Sequence, residues 1–318
     1  DGDPEDGVDG WRLDVADQVS LKFWKEFRGW VEDINPNAYL TGEVWWENFW
    51  DNEMLNAKPW LGDHAFHGVM NYRLADALFK FFIDEKNKIS TEEFSELLNG
   101  IIKDYGYENI HNVQNVLGSH DTERIASSVI NPDRWIDHAN HLKYNPEFQI
   151  GKPESSDREL LKKLILFQFM FPGAPYLYYG DEVMMVGADD PDCRKPMVWQ
   201  NFNYEKEKSH PLGWERDSMF VLPDNKIRNF YMQVNRFRKN YPSLRNGKFK
   251  IEMYDEESNV IAISRFYEGE RVLGIFSSNR NPLSKNINNE QFQAIVENCN
   301  HQIKSLIGGE YSIWDCNE

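Results

Sequence analysis

Three carboxylates stand where predicted strands end. Asp14 follows Gly10-Trp11-Arg12-Leu13, Glu43 follows Ala38-Tyr39-Leu40-Thr41-Gly42, and Asp121 lies just beyond the strand-like run Asn112 to Leu117. Twenty-nine positions separate the first two, the length of one strand–helix–strand unit, so they are expected to be lateral neighbours. Paired carboxylates in a cleft suit glycosidic bond cleavage: one attacks the anomeric carbon while the other protonates the leaving oxygen. Their surroundings must then push their pKa values apart. Arg12 and Asp14 are two apart and so point the same way on a strand. Burying such a pair is costly unless it is functional or fully hydrogen-bonded, and a structural salt bridge is the plain alternative. Val8, Leu13 and Val15 with Trp11 predict that this first strand is buried.

The elements that must position these groups alternate. Phe23, Phe27, Trp30, Val31 and Ile34 fall at helical spacing and Pro36 ends that helix. After the strand leading to Glu43 comes a Trp-rich loop, Trp45 to Asp63, then a short strand within His64 to Met70. Leu74, Leu78, Phe81 and Phe82 mark one helix, and Phe94, Leu97, Leu98, Ile101 and Ile102 a second. The polar run Asn131 to Asp157 predicts an insertion loop, Glu159 to Phe171 an apolar helix, and Pro175 to Tyr179 a strand. A last amphipathic helix carries Ile227, Phe230, Tyr231, Val234 and Phe237. Strands that alternate with helices and end in charged residues indicate parallel βα units, a barrel or an open α/β sheet. From Lys248 the pattern changes to alternating strands, Val260 to Phe266 and Val272 to Ser277, around Glu268-Gly269-Glu270. A domain boundary is placed at Gly247, giving units 1–247 and 248–318.

Composition narrows the function classes. The formal charge of −17 argues against nucleic acid or an anionic membrane as partner. No run of about twenty apolar residues is present. Three cysteines, Cys193, Cys299 and Cys316, are too few and too scattered for a disulfide framework or a metal cluster. Eleven Trp and fourteen Tyr suit sugar stacking and suit a large core equally. The chain opens on Asp1-Gly2-Asp3 without Met, so a missing leader carries no weight.

Gly10-Trp11-Arg12-Leu13-Asp14, Gly42-Glu43-Val44-Trp45 and Gly118-Ser119-His120-Asp121-Thr122-Glu123-Arg124 resemble three successive signature blocks of the α-amylase family of retaining glycosidases. Gly173-Ala174-Pro175, Tyr178-Tyr179-Gly180-Asp181-Glu182 and Asp190-Pro191-Asp192-Cys193-Arg194-Lys195-Pro196-Met197 resemble the family's eighth strand and following loop. That run, with Met70-Asn71-Tyr72, is similar to the neopullulanase, cyclomaltodextrinase and maltogenic amylase group. The resemblance implies an α/β fold, a (β/α)8 TIM barrel followed by a small antiparallel β-sandwich domain. It implies Asp14 as nucleophile, Glu43 as general acid and base, and Asp121 as the group that orients sugar hydroxyls. Arg12 would keep Asp14 ionised, His120 would bond the sugar at the cleavage site, and Asp190 with Arg194 would grip the glycone side. Trp45 would wall the leaving-group side, with a core aromatic as the alternative. The implied activity is hydrolysis of α-1,4 bonds in cyclomaltodextrins, pullulan or maltooligosaccharides, with transglycosylation as a side reaction. No cofactor is required, structural calcium and its ligands are left open, and the parent protein is a candidate homodimer. The compartment is left open, with the cytoplasm favoured over secretion.

The sequence also departs from that pattern. Asp17-Gln18 stand where the group has Asn-Glu, and Trp46 where it has His, with an insertion behind it. Only the family's fourth to eighth barrel strands are found, and Asp137-His138-Ala139-Asn140-His141 imitates an earlier block from within the insertion loop. Ile313-Trp314-Asp315-Cys316 stops before the final strand of the β domain. A fragment of a longer polypeptide is therefore expected, inactive by itself. A glucanotransferase or α-glucosidase, and a non-catalytic amylase-like scaffold, are the competing readings; a scaffold has no use for three ionisable carboxylates beside Arg12 and His120.

Overall fold

In a computed structural model of the chain, the residues described are 7–63, 65–138, 143 and 145–279, with the backbone of 301–302 and 311–315. The opening Asp1-Gly2-Asp3, the stretch Ala139-Asn140-His141 and the cysteines Cys299 and Cys316 lie outside them.

The elements run, in chain order, β1 (Gly10–Leu13), α1 (Leu21–Ile34), β2 (Tyr39–Gly42), β3 (Trp46–Asn48), β4 (Glu53–Met54), β5 (Gly68–Val69), α2 (Tyr72–Leu78), α3 (Thr91–Tyr105), α4 (Tyr107–Ile110), β6 (Gln114–Asn115), α5 (Ile125–Ser128), α6 (Ser155–Met170), β7 (Ala174–Pro175), β8 (Glu207–Ser209), β9 (Glu215–Met219), α7 (Asn225–Asn240) and α8 (Pro242–Asn246). Strands β10 (Lys248–Asp255), β11 (Val260–Tyr267), β12 (Glu270–Ser277), β13 (His301–Gln302) and β14 (Tyr311–Asp315) follow.

Five short strands lie parallel in chain order. Strand β1 pairs with β2 from Gly10↔Tyr39 to Leu13↔Gly42, and β2 pairs with β5 at Thr41↔Gly68. A parallel bridge joins Met70 to Gln114, and β6 pairs with β7 at Gln114↔Ala174. Helix α1 connects β1 to β2, the β3–β4 hairpin connects β2 to β5, and helices connect β5 to β6 and β6 to β7, so every one of the five points the same way and their C-terminal ends open on one side. Close approach sets two glycines in this sheet. A Cβ at Gly42 would stand 2.3 Å from the Phe66 ring, and one at Gly68 would stand 2.2 Å from the Asn112 carbonyl.

Local chemistry starts the helices. Ser20 accepts from Phe23 N–H at the head of α1, and Ser90 and Glu93 form a reciprocal capping box on α3. Asp224 accepts from two amides of α7. Helix α6 begins at Ser155, four residues before the expected start, because Glu154 and Asp157 cap it. The strand expected within His64 to Met70 is only Gly68–Val69, and His64 lies outside the described residues. The first strand is not the buried one expected. Val8, Trp11 and Val15 are exposed, because β1 has a neighbour on one side only among the described residues.

The core is aromatic. Phe81 stacks on Phe94 at 4.1 Å, and Phe167 of α6 packs against Phe82, Phe94 and Phe276, the last on β12. This single cluster joins the parallel strands to the antiparallel sheet, whose order is β10-β11-β12-β14-β13. Buried cations fasten the same seam: Lys163 Nζ donates to the Ser277 and Asn279 carbonyls, and Arg265 donates to the Met170 and Gly247 carbonyls. The hairpin turn has Glu268 and Gly269 both at positive φ, the backbone a two-residue β-turn of this hand requires. Where a β-sandwich is expected, the described residues form one sheet that packs on helices α3 and α8.

Truncating Phe167 to Ala should destabilise the protein by about 3–5 kcal/mol, the usual cost of deleting a fully buried ring. Denaturant unfolding of the variant measures it; a loss below about 1 kcal/mol would mean that the seam is not packed this way.

Candidate active site

Asp14 and Glu43 each follow directly on the last residue of a paired strand, β1 and β2, whose ends are in register. The backbone links them further, with Glu43 N–H donating to the Leu13 carbonyl and Ala16 N–H to the Glu43 carbonyl, both at 2.9 Å. Between them Val15 adopts φ 40°, an expensive conformation for a β-branched residue. The turn has a local consequence: Val15 N–H donates to Glu43 Oε2 at 3.1 Å.

Arg12 closes the arrangement. One guanidinium nitrogen holds Asp14 Oδ1 and the other holds Glu43 Oε1. Sequence reasoning paired Arg12 with Asp14 alone; its reach to Glu43 comes from strand register, which sequence does not display. The two carboxylates differ in surroundings. The Asp14 side chain is 70% exposed and that of Glu43 only 7%. Burial raises the Glu43 pKa above its ordinary value, although Val15 N–H and Arg12 oppose this and the charges of Asp121 and Asp14 add to it. A buried carboxyl of raised pKa beside an exposed one is the asymmetry that acid-assisted displacement needs.

Asp121 is held from three directions. His120 Nε2 lies 3.0 Å from Oδ2, Arg194 Nη2 donates to Oδ1 at 2.7 Å, and the Asp121 amide donates to Ser119 Oγ at 3.1 Å. Arg194 Nε also donates to the His120 carbonyl and its guanidinium lies 3.4 Å from Asp190. The loop after β7 is thereby docked on the loop after β6. Fully buried Arg124 locks the same junction, donating to the carbonyls of Cys193 and Tyr179 and to Asp181, beneath the ring of Tyr178.

The structure thus gathers Asp14, Glu43, Arg12, Asp121, His120, Asp190 and Arg194 on the side where the parallel strands end. Trp45 stands apart. It is 8% exposed and packs on Tyr72 at 3.9 Å and Trp46 at 5.1 Å, so it belongs to the core and does not stand open as a wall. Two contributors escaped the sequence reading of roles. Tyr72 lies under Trp45 and donates to Ser119 Oγ at 3.1 Å, supporting the Asp121 turn, and Arg124 fastens the loops. Their only sequence signal was membership of the blocks that carry the resemblance.

A second acidic group flanks this one. Burial and the mutual repulsion of Asp137, Asp189, Glu123, Asp121 and Asp190 push Asp137 up to about 9 and Asp189 up to about 7. Among the described residues no group of three or more His, Cys, Asp or Glu side chains is arranged to hold a metal ion. A carboxyl whose pKa is raised by folding favours the native state below its unfolded value, and that advantage is lost as pH rises toward its folded value. Asp137→Asn should therefore raise the melting temperature relative to wild type by an amount that grows between about pH 4 and pH 9. A pH-independent difference in thermal melts would show that Asp137 is ionised in the folded protein.

Comparison with known proteins adds family to geometry. The alpha amylase catalytic domain matches residues 4–247. A cyclomaltodextrinase from a Bacillus species is 32% identical over 276 residues, covering 87% of this chain and 40% of that protein. Neopullulanase 2 of Thermoactinomyces vulgaris is 32% identical over the same length, covering 87% of this chain and 38% of that protein. A solved structure of a cyclomaltodextrinase superposes with a TM-score of 0.64 at 32% identity, over 85% of this chain and 37% of that one. The chain thus spans about two fifths of the length of the curated relatives it matches. With that catalytic domain matched over most of its length, the chain belongs to the alpha-amylase family of glycoside hydrolases.

Proposed function

We propose that the protein is a retaining α-glucan hydrolase that cleaves α-1,4 bonds in cyclomaltodextrins, pullulan or maltooligosaccharides. The observation that carries the reading is the bridge from one guanidinium to two carboxylates of unlike burial. Asp14 attacks the anomeric carbon and Glu43 gives its proton to the departing oxygen, which leaves as a sugar hydroxyl. A water then attacks the glycosyl–Asp14 ester, gives its proton to Glu43 and releases the sugar with Asp14 as carboxylate. A sugar hydroxyl in place of water yields transglycosylation. Arg12 holds the Asp14 carboxyl by an ion pair, and Asp121, oriented by His120 and Arg194, bonds hydroxyls of the sugar at the cleavage point. Asp190 and Arg194 engage the glycone side further out. The names of the similar proteins, cyclomaltodextrinase and neopullulanase, support the substrate class.

The same reading assigns the five parallel strands to the fourth through eighth positions of an eight-stranded barrel, residues 1–247, followed by a β domain over 248–318. The exposed outer side of β1 and the exposed Phe23, Trp30 and Ile34 on α1 fit burial against further barrel elements of the whole polypeptide.

Two experiments on the whole protein test this. Asp14→Asn should lower cyclomaltodextrin hydrolysis by several orders of magnitude with an unchanged melting temperature; wild-type rates would return the scaffold reading. The wild-type pH–rate profile should have a basic limb above the ordinary glutamate value of 4.5. Glu43→Gln should remove that limb and slow natural glucans far more than an aryl glycoside, whose good leaving group needs no proton. Equal losses on both substrates would take the acid role from Glu43.

A further inference from the structure

The insertion behind Trp45 carries aromatic rings that the catalytic reading does not use. Trp45 packs on Trp46, Trp46 contacts both Phe49 and His138, and His138 stacks on Phe49 at 3.8 Å. From there the row reaches Trp50 on one side and Trp135 on the other. Exposure climbs along it, from 8% at Trp45 to 42% at Trp135 and 81% at Trp50. The inner end of the row follows Glu43 by two residues in sequence; the outer end is in solvent.

The row is held in place. Strand β3 pairs with β4, Leu55 N–H donates to the Trp45 carbonyl at 2.8 Å, and Asn48 Oδ1 accepts from Trp50 N–H at 3.1 Å. Asn52 ties the hairpin tip to Asp76 of α2. His138 donates its amide to the Trp135 carbonyl, which fixes its ring against Phe49. Large rings fixed at the surface lose little freedom on binding, and a wet tryptophan so placed marks a contact site.

We propose that this row is a remote binding track for the leaving-group side of an α-glucan chain, ending at Trp50 and Trp135. The proposal rests on the glycosidase reading, since it is Glu43 as proton donor that sets which side of the cleavage point the row extends from. The apolar faces of glucose units at the outer end would pack on the exposed rings of Trp50 and Trp135, while their rim hydroxyls stay in water. Arg194 contacts both Asp121 and Asp190, which leaves the glycone side to that loop and the hairpin side to the leaving group. Short substrates would not reach the outer rings. Long ones would.

The test uses the whole protein carrying Glu43→Gln, so that glucans bind without turnover. Calorimetric titration compares maltotriose with maltoheptaose. Trp50→Ala, and Trp50→Ala combined with Trp135→Ala, should weaken maltoheptaose by about tenfold or more and leave maltotriose within about twofold. Trp50→Phe, which keeps a ring, should recover most of the affinity. Unchanged melting temperatures separate this from a structural role. Equal losses on both sugars, or no loss on either, would overturn the track while leaving the glycosidase reading intact. Failure of the Glu43→Gln parent to bind either sugar would overturn both.

Discussion

The site depends on one ion-pair bridge. Arg12 lies on β1 and holds carboxylates that belong to the ends of two adjacent strands, so strand register and the geometry of the candidate site are one constraint. Shifting β1 by one residue would turn Arg12 to the opposite face and leave Glu43, which is largely out of water, without its cation. Val15 contributes to the same constraint. Its left-handed backbone is sterically unfavourable, yet it aims an amide at Glu43. Strain of this kind persists where the surroundings over-determine it, and here two strand-end backbone hydrogen bonds and the bond from Val15 N–H to Glu43 do so.

Burial divides the two carboxyls. Desolvation raises the Glu43 pKa and outweighs the backbone donor and the Arg12 charge, which lower it. Asp14 receives the same cation without the burial. Asp121 is a third case, gripped by His120 and Arg194 from a loop that Arg124 keeps docked. Three residues of similar intrinsic acidity thus acquire distinct surroundings from the elements that carry them.

Much of this was legible in the sequence. The alternation of strands and helices, the carboxylates at strand ends and the hairpin at Glu268-Gly269 depend on local patterns, and local patterns are what sequence records. What escaped it is non-local. Trp11 and Val15 have the composition of a buried strand, but burial needs a neighbour on both sides and β1 has one among the described residues. Trp45 shares its residue type with an open sugar-stacking wall; only the approach of Tyr72, from another element, makes it core. The second grip of Arg12 and the role of Arg124 likewise arise from residues brought together by register and loop docking.

The central claim is a double displacement through Asp14, and the stereochemistry of the first product tests it most directly. Proton NMR of the whole protein acting on a maltooligosaccharide, recorded before mutarotation, distinguishes the outcomes. The account predicts that the α-anomer appears first and the β-anomer only later, as mutarotation proceeds. Initial release of the β-anomer would mean a single displacement by water, and would contradict the assignment of Asp14 as nucleophile.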